Sequence, residues 1–79
     1  MDRSRIEAEL AAIIRTVFGR ANLTVERSTT PRDVPGWDSF KTVEIVLAAE
    51  EHFKMEFEVR DVDRFRCVGD LVDAIADKV

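Results

Sequence analysis

Four places in this chain carry side chains whose types and neighbours could do chemistry. They are Ser39 in Gly36-Trp37-Asp38-Ser39-Phe40, the single histidine His52, the single cysteine Cys67, and the pair Asp61 and Asp63. A serine nucleophile needs a base beside it, and the Gly-x-Ser-x-Gly elbow is missing. His52 would stand about 20 Å from Ser39 along a helix rising ~1.5 Å per residue, and reads as a surface residue. Cys67 has no partner for a disulfide and, with one histidine, cannot build a metal cluster; it reads as a half-buried structural thiol. Asp61-Val62-Asp63 begins like a calcium loop, but Phe65 and Arg66 stand where an acid or Asn and the turn Gly are required. Ser39 is left with two roles. It is a helix cap, for which Asp and Ser are favoured, or it accepts a phosphate-linked group at a helix N-terminus, where free amides and the dipole favour negative charge. Lys41 and Thr42 occupy the positions where a reciprocal capping box wants Glu or Gln, which weakens the cap reading.

The elements that position Ser39 follow from period and punctuation. Ser4 and Glu7 are spaced as a capping box and predict a first helix beginning near residue 4 or 5. Ile6, Leu10, Ile13, Ile14, Val17 and Phe18 form its apolar stripe, and Gly19 ends it. From Arg20 to Trp37 the helical period disappears, with turn residues at Ser28-Thr29-Thr30-Pro31 and Val34-Pro35-Gly36. Leu23, Val25 and Val34 are expected to anchor this long loop, Thr30 to cap one helical turn starting at Pro31, and Trp37 to pack the loop against the second helix. That helix should run from about Ser39 to His52 or Phe53. A short third helix is expected over Val59 to Asp63, with Val59, Val62 and Phe65 inward. The fourth should begin near Cys67 or Val68, with Val68, Leu71, Val72, Ile75 and Val79 as its stripe. The predicted fold class is all-α: a small up-and-down type bundle of three longer helices plus one short helix, with a long loop between the first two.

The second helix has two apolar sides. Thr42, Ile45, Val46, Ala49 and Phe53 share one and should face the first and fourth helices. Phe40, Val43, Glu44, Leu47, Glu50 and Glu51 share the other, with Ser39 at its N-terminal end. Scattered exposed apolar residues are normal. A mixed apolar and acidic face beside Ser39, however, is what a docking surface for a basic partner requires.

Composition narrows the classes further. Seventy-nine residues, 46% apolar and 35% charged, suit one soluble domain spanning residues 1–79. No apolar run approaches the ~18 residues of a membrane span. The N-terminus is not a secretory signal, so a cytoplasmic monomer is expected. A net charge of −4 speaks against nucleic acid, and so short a chain leaves little room for a catalytic cavity.

Gly36-Trp37-Asp38-Ser39-Phe40, Thr42-Val43-Glu44-Ile45-Val46 and Glu50-Glu51-His52-Phe53 together resemble the acyl carrier proteins. The resemblance extends over the long loop, the short third helix and Val68-Gly69-Asp70-Leu71. It implies a carrier rather than an enzyme, with Ser39 bearing 4′-phosphopantetheine donated by coenzyme A through a phosphopantetheinyl transferase. It also implies that Asp38 helps bind the transferase's metal. Glu44, Glu50 and Glu51 would meet basic patches on acyl-transferring, condensing or activating enzymes, with Val43 and Leu47 as apolar contacts. The cargo would be acyl thioesters of fatty-acid, lipid or polyketide-type synthesis. An aminoacyl or peptidyl carrier and an unmodified helical interaction domain remain as alternatives. The sequence departs from the family pattern at Phe40 (usually Leu), Lys41, Arg60, Arg64 and Cys67. Phe40, Phe57 and Phe65 are expected to narrow the space for cargo between helices, which points to a specialised carrier.

Overall fold

Asp2, rather than Ser4, opens the first helix. Its carboxylate accepts the Ser4 amide at 3.1 Å, and its extended backbone (φ −67°, ψ 136°) is that of a cap residue. Glu7 makes no return bond, because the cap is already supplied by a residue of equal preference. The structure, a computed structural model, describes residues 1–79. It contains α1 (Arg3–Phe18), a single 3-10 turn (Pro31–Asp33), α2 (Ser39–Phe53), α3 (Val59–Asp63) and α4 (Val68–Lys78). None of these helices is long and apolar enough to cross a membrane. Gly19 ends α1 at φ 64°, a left-handed conformation that glycine adopts without a Cβ penalty.

α1 is the central helix, packing along both α2 and α4, while α3 leans on α4. Ile6, Leu10 and Ile14 of α1 and Ile45, Ala49 and Phe53 of α2 join Val68, Leu71, Val72 and Ile75 of α4 in one buried cluster. Two residues expected to face the core are instead exposed. Val59 is 79% exposed and Val79 42% exposed. A helix of one turn can turn only part of its circumference inward, so Val62 and Phe65 reach cover and Val59, at its first position, does not. Val79 lies past the last turn of α4. His52 is exposed, yet it ties helices together: its Nε2 lies 2.7 Å from Glu9 of α1, and Glu9 also accepts Arg5 at 2.7 Å.

The loop is fastened rather than slack. Val34 is buried, and Leu23 and Val25 pack against the cluster as expected. Thr30 caps the Pro31 turn, with its amide bonded to Asp33 at 2.9 Å. Cys67 makes no side-chain cap for α4. Instead, the carbonyls of Thr29 and Arg27 accept the Val68 and Gly69 amides, each at 2.9 Å. A Cβ on Gly69 would lie 3.2 Å from the Arg27 carbonyl, tighter than ordinary van der Waals contact, so a side chain there would press the loop outward. Asp73 then holds the guanidinium groups of both Arg3 and Arg27.

Three carboxylates are held below their ordinary ionisation range. Hydrogen bonds from His52 and Arg5 lower Glu9 from 4.5. The Glu58 amide lowers Asp61 from 3.8, and the Arg66 amide, bonded at 2.9 Å, lowers Asp70 from 3.8. A carboxyl whose folded pKa is depressed adds stability above its unfolded value and loses it as pH falls through the folded one. Melting temperature should therefore hold near neutral pH and drop below about pH 4. Asp70→Asn should lower it at about pH 7 and lose most of that difference by about pH 2.

Candidate functional site

The expected second helix begins at Ser39, and the geometry there separates the two roles open to the serine. Asp38 has extended backbone (φ −121°, ψ −171°), and its Oδ1 accepts the Lys41 amide at 3.0 Å. Asp38 is therefore the cap. Ser39 is the first helical residue, exposed, with its hydroxyl making no hydrogen bond in the chain. The amides of Ser39 and Phe40, at the start of the helix, have no carbonyl to pair with inside it. Asp38→Ala should cost about 1 kcal/mol in urea unfolding, and Asp38→Asn a few tenths, because Asn caps equally well.

Behind Ser39 the chain is braced. Gly36 takes φ 88° to bring the loop round. Trp37 packs between Phe18 and Phe65 in tilted contacts, with ring centroids 5.6 Å and 5.7 Å away, and its indole N–H donates to Thr42 Oγ1 at 2.9 Å. Lys41 reaches back to the end of α1 while keeping its Nζ 3.8 Å from Glu44 on α2. Its Nζ lies 3.5 Å from the Val17 carbonyl and 5.7 Å from the Phe18 ring. An ammonium at the C-terminus of α1 complements that helix's dipole, which gives this departure from the family pattern a structural reason.

The second face of α2 is uncovered. Phe40, Val43 and Leu47 are 79%, 53% and 59% exposed. Glu44 and Glu51 are exposed beside them, with Glu44 3.8 Å from Lys41. Glu50 is half-buried and has one oxygen bonded to the Phe57 amide at 2.9 Å, so it also holds the turn after α2. Sequence reasoning missed what this face borders, an open groove of about 320 Å³ between α2 and α3. Val43, Val46, Leu47, Phe57, Val59 and Val62 supply its apolar lining. The outward Val59 was the signal, but one helical turn has too little periodicity to show which way it faces. Of the three phenylalanines expected to narrow the space for cargo, Phe57 alone lines this groove: Phe40 projects into solvent, and Phe65 packs on Trp37. A larger depression of about 730 Å³ between α3 and α4 is lined by arginines and aspartates and contains no residue of the site. Within it, Asp61 bonds the Glu58 amide and pairs with Lys78.

Residues 8–75 match the family model described as phosphopantetheine attachment site. The acyl carrier protein of Acidothermus cellulolyticus is 36% identical over 76 residues, covering 96% of this chain and 90% of that one. The chain belongs to the acyl carrier protein family. Among solved structures, the holo acyl carrier protein of Geobacter metallireducens superposes with a TM-score of 0.86 at 29% identity, covering 92% of this chain and 84% of that one. A Mycobacterium tuberculosis protein described as a putative acyl carrier protein shares the fold at a TM-score of 0.82 and 22% identity, over 91% of this chain and 96% of that one. The all-helical fold and the standing of this acyl carrier protein as a carrier, not an enzyme, follow from that membership, and 4′-phosphopantetheine is its prosthetic group. The N-terminus of α2 fits the group's phosphate. It offers a free hydroxyl to esterify, unpaired amides to meet the charge, and open solvent for the arm.

Proposed function

We propose that Ser39 is the attachment residue, that residues 1–79 act as one carrier domain, and that acyl thioesters of fatty-acid, lipid or polyketide-type synthesis are the cargo. The observation that carries the reading is the division of labour at the start of α2: Asp38 takes the cap, which leaves an exposed Ser39 hydroxyl without a structural duty. In the loading reaction the Ser39 oxygen forms a bond to the phosphorus of coenzyme A that bears the pantetheine. The bond from that phosphorus to the 3′,5′-adenosine bisphosphate breaks, and the serine proton passes to a base of the transferase. Asp38, beside the reacting oxygen, has one carboxylate oxygen engaged with Lys41 and the other free for the transferase's metal. Incubation with coenzyme A and a broad-specificity phosphopantetheinyl transferase should add one phosphopantetheine by intact mass, located on the peptide containing Ser39. A chain that gains no mass, beside a control carrier that does, would instead support an unmodified interaction domain.

Partner enzymes with basic patches would approach along Phe40, Val43 and Leu47, steered by Glu44 and Glu51. The double reversal Glu44→Lys, Glu51→Lys should lower kcat/KM for loading about tenfold at low salt, with a smaller loss at high salt, because exposed charges are screened. Glu50 is left out of this test because its carboxylate holds the Phe57 turn. Equal rates for the two proteins at low salt would remove these acids from the docking face.

A further inference from the structure

We infer that Trp37 is the positioning residue for Ser39, acting through a hydrogen-bonded chain that fixes the peptide plane entering the serine. The inference rests on Ser39 being the attachment residue. The indole N–H donates to Thr42 Oγ1 at 2.9 Å, and the same hydroxyl lies 3.4 Å from the Asp38 carbonyl, to which it donates. That carbonyl belongs to the Asp38–Ser39 peptide and also accepts the Thr42 amide at 3.1 Å. The orientation of this one peptide sets the direction in which the Ser39 side chain leaves the helix.

A tether sets a direction only if its far end is fixed, and Trp37 is fixed on two sides. Phe18 at the end of α1 and Phe65 beyond α3 hold the ring, with interplanar angles of 58° and 33°. The Trp37 amide also donates to the Val34 carbonyl at 3.1 Å, and Val34 is buried. Trp37 therefore refers the Ser39 peptide to the end of α1 and the segment after α3 through its ring, and to the Val34 turn through its main-chain amide. Helix capping does not need this arrangement, because the Asp38 carboxylate supplies the cap unaided. Docking does not need it either, since Phe40, Val43 and Leu47 are exposed on α2, and the rings that hold Trp37 are Phe18 and Phe65. What the chain controls is the aim of the hydroxyl, and a small misplacement of a reacting atom slows chemistry far more than it weakens association.

The test is steady-state loading by a phosphopantetheinyl transferase with coenzyme A, read as kcat and KM for the carrier. Trp37→Phe keeps a ring between Phe18 and Phe65 but removes the donor. Thr42→Val keeps the volume and removes the hydroxyl, and Thr42→Ser keeps the hydroxyl. Trp37→Phe and Thr42→Val should each lower kcat about three- to tenfold with KM within about twofold, and Thr42→Ser should restore most of the rate. Independently of loading, the Ser39 and Phe40 amide resonances should shift in Thr42→Val and return towards their original positions in Thr42→Ser. An unchanged kcat in folded variants, a loss confined to KM, or unmoved Ser39 resonances would overturn the inference. A wild-type chain that takes no arm would instead end the attachment reading itself, and this inference with it.

Discussion

Ser39→Ala should abolish addition of the phosphopantetheine arm completely while leaving the helix bundle intact. Loss of the hydroxyl removes the only oxygen at this position able to bond the phosphorus, and the neighbouring groups cannot substitute for it. The stability cost should be within about 0.5 kcal/mol, the usual range for an exposed residue with no special contact, since Asp38 continues to cap the helix. The chain offers an internal control. Ser4 also lies in the first turn of a helix, two residues after a capping aspartate, and is exposed. It has no neighbouring apolar ridge like that of Phe40, Val43 and Leu47 and no brace like Trp37. Ser4→Ala should accept the arm at the wild-type rate. Intact mass read beside a melting curve distinguishes the two variants, and an arm that still appears on Ser39→Ala would move the attachment site elsewhere.

The largest stability loss should come from Leu10→Ala. Leu10 is fully buried at the middle of α1, the helix on which both α2 and α4 pack. Truncating a buried leucine costs about 2–5 kcal/mol through lost burial and the cavity left behind. A domain of this length has roughly 4–12 kcal/mol in all, so the variant should lose a large part of its stability. Urea unfolding followed by helix signal checks this. An unchanged midpoint would mean that the three-helix core can close over the gap. Ala12→Ser, on the exposed side of the same helix, should change stability by less than about 0.5 kcal/mol.

Much of this fold was legible because long helices declare themselves twice, by period and by punctuation. Ile6, Leu10 and Ile14 recur at helical spacing and all are buried, and Gly19 stops α1 where expected. The start of α2 at Ser39 was legible for the same reason. Which of Asp38 and Ser39 would cap was not, since both residue types cap well and only the backbone angles decide between them. The same ambiguity misplaced the start of α1 at Ser4 instead of Asp2. Features that join distant segments left no trace in local pattern. The His52–Glu9 bond crosses between helices, and Trp37 gave no sign of Phe18 or Phe65 as its neighbours. Val59 could not be oriented because one turn carries almost no phase information.

The two loop carbonyls that receive the first amides of α4 have a consequence for how this chain opens. The Val68 and Gly69 amides are bound by Thr29 and Arg27, about forty positions earlier in sequence. The start of α4 cannot fray without releasing the loop, and the loop cannot lift without exposing the start of α4. In native-state hydrogen exchange these amides should open together with the Glu26 amide, which the buried Thr29 hydroxyl holds at 2.8 Å. The segment that looks like the longest free stretch of the molecule would then exchange as part of its last helix. An insertion at Ala21-Asn22, exposed and outside this unit, should be tolerated where one between Arg27 and Thr29 is not.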